Sequence, residues 1–144
     1  MCDTRKLSYK FLDHATDAII EVTAKDLKEA FSVTADAVIN LTLDQDKVEE
    51  KDQKEFSANG KDLRYLLFSW IEEITFVLIT QGFAIKRVEF DIEQKEGYKI
   101  NAKAYGEPID LHKHNFKVEI KAPTFYEMEI NQDKGVYMKF LVDL

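Results

Sequence analysis

Cysteine occurs once in this chain, tryptophan once, proline twice and glycine five times, and each scarcity excludes a class of protein. With Cys2 alone, no internal disulfide can form and no thiolate pair exists for structural zinc, which fits a reducing compartment such as the cytoplasm. The glycines at 60, 82, 97, 106 and 135 stand apart, so there is neither a phosphate-cradling loop nor a dinucleotide-binding turn, and nucleotide binding is not expected. Ser8, Ser32, Ser57 and Ser69 all lie outside any Gly-x-Ser-x-Gly turn, which leaves nucleophilic catalysis without a placed nucleophile. The longest apolar run in the strongest helical segment, Ile74 to Ile79, is broken by Thr75 and preceded by Glu72-Glu73. It falls far short of the ~20 residues that span a bilayer. The start, Met1-Cys2-Asp3-Thr4-Arg5-Lys6, has no apolar core of a secretory signal, so no membrane or export role is expected.

Positive charge is also sparse. Twenty Lys and Arg face 27 Asp and Glu, for a net charge of −7, and no basic run is longer than Arg5-Lys6 or Lys86-Arg87. Affinity for nucleic acid comes mostly from cations that neutralise phosphates, so direct, tight binding of RNA or DNA is not expected. An acidic balance suits a solvated surface, a basic protein partner or a divalent cation. What is present is ordinary for a folded globule: 45% hydrophobic and 33% charged residues over 144 positions, with no low-complexity tract. A chain of ~150 residues can bury roughly 70% of its unfolded surface, so one domain over residues 1–144 is expected.

Leu7, Tyr9 and Phe11 alternate with polar neighbours, as do Ile20, Val22 and Ala24, which is the pattern of strands buried on one face. Asp26 with Glu29 three positions on marks a helix start, and Leu27, Ala30, Phe31, Ala35, Val38 and Ile39 repeat at helical spacing. The charged stretch Asp44 to Asn59, with Val48 and Phe56 as its apolar contacts, predicts an edge strand. A central helix is predicted from Asp62 to Gln81, with Trp70 on its core face and Gly82 to end it. After it, five alternating segments predict strands around residues 88–92, 100–104, 116–120, 128–130 and 136–142, with turns at Glu96-Gly97 and Lys134-Gly135. Two helices inserted early and a run of strands late read as α+β, the helices packed on a mostly antiparallel sheet.

Asp13, His14 and Asp17 share one short turn, and Asp143 adjoins the terminal carboxylate of Leu144. Such oxygen donors suit Ca²⁺, Mg²⁺ or Mn²⁺, although acidic residues in a turn more often cap backbone N–H groups or face water. On the last strand Asp143 alternates with Val142, so it can face away from the core. His112 and His114 alternate on a strand-like segment and would share a face, more often as hydrogen-bonded or surface groups than as ligands. Glu72 and Glu73 are helical neighbours pointing about 100° apart, so they read as surface or partner-facing rather than as an acid and base pair.

Taken together, the motifs resemble the archease family. The likeness lies in Tyr9 with Phe11-Leu12-Asp13-His14-Ala15-Thr16-Asp17, in Leu27-Lys28-Glu29-Ala30-Phe31, and in Asp62-Leu63 through Leu66-Leu67-Phe68-Ser69-Trp70-Ile71-Glu72-Glu73. It continues in Lys103-Ala104-Tyr105-Gly106-Glu107, Asp110-Leu111, Lys113-His114, Glu119-Ile120-Lys121-Ala122, Thr124-Phe125, Met128 and Val142-Asp143-Leu144. The resemblance implies a non-catalytic activator of the tRNA-splicing RNA ligase, promoting GTP-dependent guanylylation of that ligase and its multiple turnover. It also implies that Asp17, Asp143 and Leu144 bind a divalent metal ion, with Asp44 a secondary position and the Glu107 to His114 segment a structural support or partner surface.

Three departures stand out. Ala15-Thr16 inverts the family's order but keeps the His14 to Asp17 spacing; Asp36 falls where the first helix is usually apolar; and Pro123 replaces a β-branched residue. Asp36 and Pro123 predict altered local packing, with the first helix bent or partly exposed. Competing readings are a general chaperone or modulator of RNA-modifying enzymes, and a metal-dependent hydrolase built on His14, Asp17 and Asp143. The absence of an evident general base disfavours the hydrolase.

Overall fold

The computed structural model of the chain describes residues 9–12 and 16–144. Cys2, Leu7, Ser8, Asp13, His14 and the Ala15 inversion lie outside them. The architecture is α+β: strands β1 (Tyr9–Leu12) and β2 (Asp17–Ala24), helix α1 (Leu27–Thr42), strand β3 (Asp52–Gly60), helix α2 (Leu63–Thr75), and strands β4 (Phe83–Gln94), β5 (Tyr98–Pro108), β6 (Ala122–Asn131) and β7 (Val136–Asp143). The strands divide into two sheets, a four-stranded one ordered β1-β2-β7-β6 and a three-stranded one ordered β3-β5-β4. Every pairing is antiparallel.

Both helices start where a side chain can satisfy a free N–H. Asp26 Oδ1 accepts from Glu29 N–H at 2.8 Å and Asp62 Oδ1 from Tyr65 N–H at 3.0 Å, contacts each worth about 1 kcal/mol. Helix α2 widens in its last turn to π spacing over Phe76–Thr80 and stops at Gly82, whose φ of 61° favours a residue without Cβ. Helix α1 packs against β2 and β4 and α2 against β3 and β6, so the helix pair touches both sheets. Trp70 sits at the contact between the helices, fully buried, and donates from its indole N–H to the Phe31 carbonyl at 2.9 Å. Its ring lies 4.9 Å from Phe90 and 5.6 Å from Phe56. It is core, as its helical spacing predicts. Asp36 does not interrupt α1, and its Oδ1 accepts from Gln45 Nε2 at 2.9 Å.

Two expectations are corrected. Residues 116–120 form no strand: their burial alternates, but the backbone there is tied through Lys117 N–H to Thr42 O (2.7 Å), and the next residue, Lys121, donates to Asp143 O (2.8 Å). The alternation records an extended segment with one side covered, and no strand edge is aligned with it to form a ladder. The edge strand predicted from Asp44 is β3, which begins at Asp52 after a short 3₁₀ turn at Gln45–Lys47. Pro123 lies on the outermost strand of its sheet, where a residue without an N–H is tolerated.

Candidate functional site

In β2 the even positions Ala18, Ile20, Val22 and Ala24 are buried, and in β7 Val136, Met138, Phe140 and Val142 are. The odd positions therefore share the outer face, and the register sets Asp17 directly opposite Asp143. One clasp lies alongside: Leu144 N–H donates to Thr16 O at 3.3 Å, which brings the terminal residue back beside Asp17. Lys121 N–H holds Asp143 from the other side, through its carbonyl. Asp17, Asp143 and Leu144, all expected at a metal site, are thus gathered at one end of the four-stranded sheet. Asp143 is exposed and faces away from the core, as the alternation predicts.

Directly opposed carboxylates on neighbouring strands destabilise a sheet. Farther along the same face the opposite arrangement holds: Glu21 pairs with Lys139 and Lys10 in register, its carboxylate 3.1 Å from Lys10 Nζ and accepting from the Tyr137 hydroxyl at 2.8 Å. The hydrogen bond from Tyr137 and that from Lys10 hold the Glu21 carboxyl below its usual range, while burial and the Glu21 charge push Tyr137 up to about 12. The terminal corner combines two side-chain carboxylates and a terminal one, a donor set suited to a hard divalent cation. Among the described residues, no group of three His, Cys, Asp or Glu side chains could hold a metal.

The loop after β5 reaches the corner through Lys121 and is itself tied down by a polar knot at its start. Gly106 is required near the end of β5, because a Cβ there would stand 1.8 Å from the Ala84 carbonyl oxygen, beside the bulge between Ile85 and Arg87. Glu107 is 5% exposed and His114 fully buried. Glu107 Oε2 accepts from Glu49 N–H, from His114 Nε2 and from Lys113 Nζ, each at 2.9 Å. The Asp110 N–H donates to His114 Nδ1 at 3.0 Å, so that nitrogen carries the lone pair and Nε2 carries the proton given to Glu107. The Glu49 N–H, then His114 and Lys113, hold the Glu107 carboxyl down at about 2. Lys113 also reaches Glu49 at 2.9 Å. The His114 carbonyl accepts from Asp44 N–H at 2.8 Å, which anchors the end of α1 to the same knot.

His112 and His114 do not share a face. They lie on a turn, with His112 exposed and His114 in the core. Asp44 is engaged by Lys117 at 3.0 Å, Asn115 at 3.1 Å and Lys47 at 3.4 Å, and the first two contacts lower its carboxyl to about 2. Its oxygens are occupied as a charge-paired brace. Glu72 is exposed and Glu73 is half-buried with its carboxyl raised by burial and by the neighbouring Glu72 charge. Sequence spacing did not point to Glu49, which joins the knot from a segment 58 residues away, nor to the two backbone clasps at Thr16 and Lys121. Gly106 immediately before Glu107 lies within β5, where the Ala84 backbone comes too close for a Cβ.

No helix among the described residues is long and apolar enough to cross a membrane. Residues 9–144 match the model of the Archease protein family (MTH1598/TM1083). The chain is 37% identical over 143 residues to the protein archease of Pyrobaculum islandicum, covering 97% of each. It is 36% identical over 136 residues to that of Pyrococcus abyssi, covering 93% of this chain and 96% of the other. The fold is similar to the solution structure of protein 1598 of Methanobacterium thermoautotrophicum, with a TM-score of 0.77 and 28% identity over 95% of this chain and 99% of that one.

Proposed function

The chain belongs to the archease family, non-catalytic proteins that activate or modulate RNA-processing enzymes, and from that premise we propose that it activates the GTP-dependent tRNA-splicing RNA ligase in the cytoplasm. It promotes guanylylation of the ligase and its multiple turnover by presenting the terminal acidic corner to the ligase's active site. The observation that carries this reading is the register that sets Asp17 opposite Asp143, with Leu144 clasped to Thr16. Like charges opposed at that spacing cost stability in the isolated protein unless a cation joins them. Asp17, Asp143 and the Leu144 carboxylate would hold a divalent ion, Ca²⁺, Mg²⁺ or Mn²⁺, which when bound supplies positive charge for phosphate oxygens. The chain's own part is orientation: the Lys121 and Thr16 clasps hold the acidic residues at one end of the two central strands, and the Glu107–His114 knot ties down the loop that leads to Lys121.

The test is guanylylation of the cognate ligase from GTP, under multiple-turnover conditions, with this protein at a small fraction of the ligase. Strong stimulation, lost in Asp143→Ala although that variant in chelator melts no lower than the parent, is the expected result. No stimulation of a ligase shown to be competent would refute the proposal and favour a general chaperone, which would instead suppress aggregation of several unrelated clients.

A further inference from the structure

The start of β5 is built differently. There the β4–β5 turn, Lys95 to Gly97, packs on the junction of β3 and α2. Gly97 has a φ of 110°, and a Cβ on it would stand 3.0 Å from the Gly60 carbonyl oxygen, while a Cβ on Gly60 would stand 2.2 Å from Leu66 N. The two backbones meet without side chains between them and leave an open cleft of about 590 Å³ lined by Lys61, Lys95, Lys99, Tyr65, Tyr98 and Glu96.

Three ammonium groups thus surround one carboxylate on a chain whose net charge is −7. Lys61, Lys95 and Lys99 make no ion pair with any described residue, in contrast to Lys113 and Lys117, which are tied to carboxylates. Lys61 instead places its Nζ 4.4 Å over the Tyr65 ring. The nearby Asp62 carboxylate is turned to the start of α2, where it caps Tyr65 N–H. The aromatic surface continues outward from the cleft. Tyr65 lies 5.0 Å from Phe125, which stacks on Phe68 at 4.4 Å with the Arg64 guanidinium 5.9 Å over its ring. Tyr126 follows, 68% exposed, where the β6 ladder is broken between Thr124 and Glu129.

We propose that this cleft and the aromatic path beyond it bind a short stretch of single-stranded nucleic acid. Its phosphodiesters sit among Lys61, Lys95 and Lys99, and its bases stack on the tyrosine rings. Cations interleaved with exposed aromatic faces are what a single strand requires, since each nucleotide presents a charge and a flat ring. An acidic peptide would use the lysines and leave the rings idle. About three neutralised phosphates give weak, salt-sensitive binding, which agrees with the unfavourable charge of the whole chain. Binding here does not rest on a metal at the acidic corner, and ligase stimulation by the corner stands or falls separately.

The test is titration of the full-length ¹⁵N-labelled protein with oligouridylate of eight nucleotides, with parallel titrations of uridine monophosphate, inorganic phosphate and an oligoglutamate. Shifts confined to residues 61–65, 95–99 and 125–126, seen with the strand and far weaker with the other three, are expected. With a slope near 0.7 per phosphate and three phosphates, affinity should fall roughly 20-fold between 50 and 200 mM salt. The pair Lys61→Glu/Lys99→Glu should weaken binding at least tenfold at unchanged melting temperature, Lys61→Arg/Lys99→Arg should retain it, and Lys134→Glu at the β6–β7 turn should not alter it. Equal binding of oligoglutamate, equal binding of monophosphate or phosphate, or indifference to the double charge reversal would overturn the proposal.

Discussion

Replacing Glu107 by Gln removes the charge at the centre of the knot while conserving its shape. The carboxylate accepts from the Glu49 N–H, His114 Nε2 and Lys113 Nζ, each at 2.9 Å, and these donors hold its pKa at about 2 against the usual 4.5. At about 1.4 kcal/mol per tenfold change, that displacement corresponds to roughly 3 kcal/mol of folding stability. The amide presents its NH₂ to a position now served by donors, so one of them loses its acceptor in a site that water does not reach. For a domain of this size, about 3 kcal/mol lowers the melting temperature by roughly 6–12 °C. The sign follows from the depressed pKa. The stabilisation is complete above the unfolded value of 4.5 and is lost as pH falls toward 2. Urea unfolding of both proteins at pH 7 and pH 3 reads the effect directly, and the gap between them should shrink to less than half at pH 3. A gap under about 1 kcal/mol at pH 7, or one that is the same at both pH values, would refute this account of the knot.

Other substitutions probe the remaining links. Asp143→Asn relieves the opposed charges of the corner and should raise the melting temperature in chelator by about 1–3 °C, from a like-charge penalty of roughly 0.2–1 kcal/mol. The same variant should lose the stabilisation that millimolar Ca²⁺ confers on the parent, and a Ca²⁺ response of undiminished size in scanning fluorimetry would exclude Asp143 as a ligand. Gly106→Ala drives a methyl group into the Ala84 carbonyl oxygen, 1.8 Å from an ideal Cβ, and should cost upwards of about 3 kcal/mol or prevent folding, read by circular dichroism. Trp70→Phe leaves the Phe31 carbonyl without its indole donor and opens space between the helices, a loss of about 2–4 kcal/mol in urea unfolding.

Much of the fold is legible from local rules because those rules act over a few residues. Asp26 and Asp62 announce the helix starts through contacts three residues away, and Gly82 announces the end of the second helix through its own φ of 61°. Alternation at Ile20, Val22 and Ala24 assigns the buried face of β2, since successive side chains of a strand must oppose. The same alternation misleads at residues 116–120, where it reports burial correctly and pairing incorrectly. Whether an extended segment joins a ladder depends on which edge lies beside it, and that is a property of the packed chain.

The composition of the chain excluded a disulfide framework and a phosphate-cradling loop, the residues themselves offered Asp13, His14, Asp17, Asp143 and Leu144 as oxygen and nitrogen donors, and the family resemblance narrowed these to Asp17, Asp143 and Leu144. Proximity was a matter for the tertiary structure alone. Asp17 and Asp143 are 126 residues apart in the chain and become direct neighbours through the register of β2 on β7. His114, expected as a hydrogen-bonded or surface group, is hydrogen-bonded and buried: Glu107 and Asp110 of its own segment meet both ring nitrogens, and only the fold brings Glu49 and Asp44 onto that segment from elsewhere in the chain.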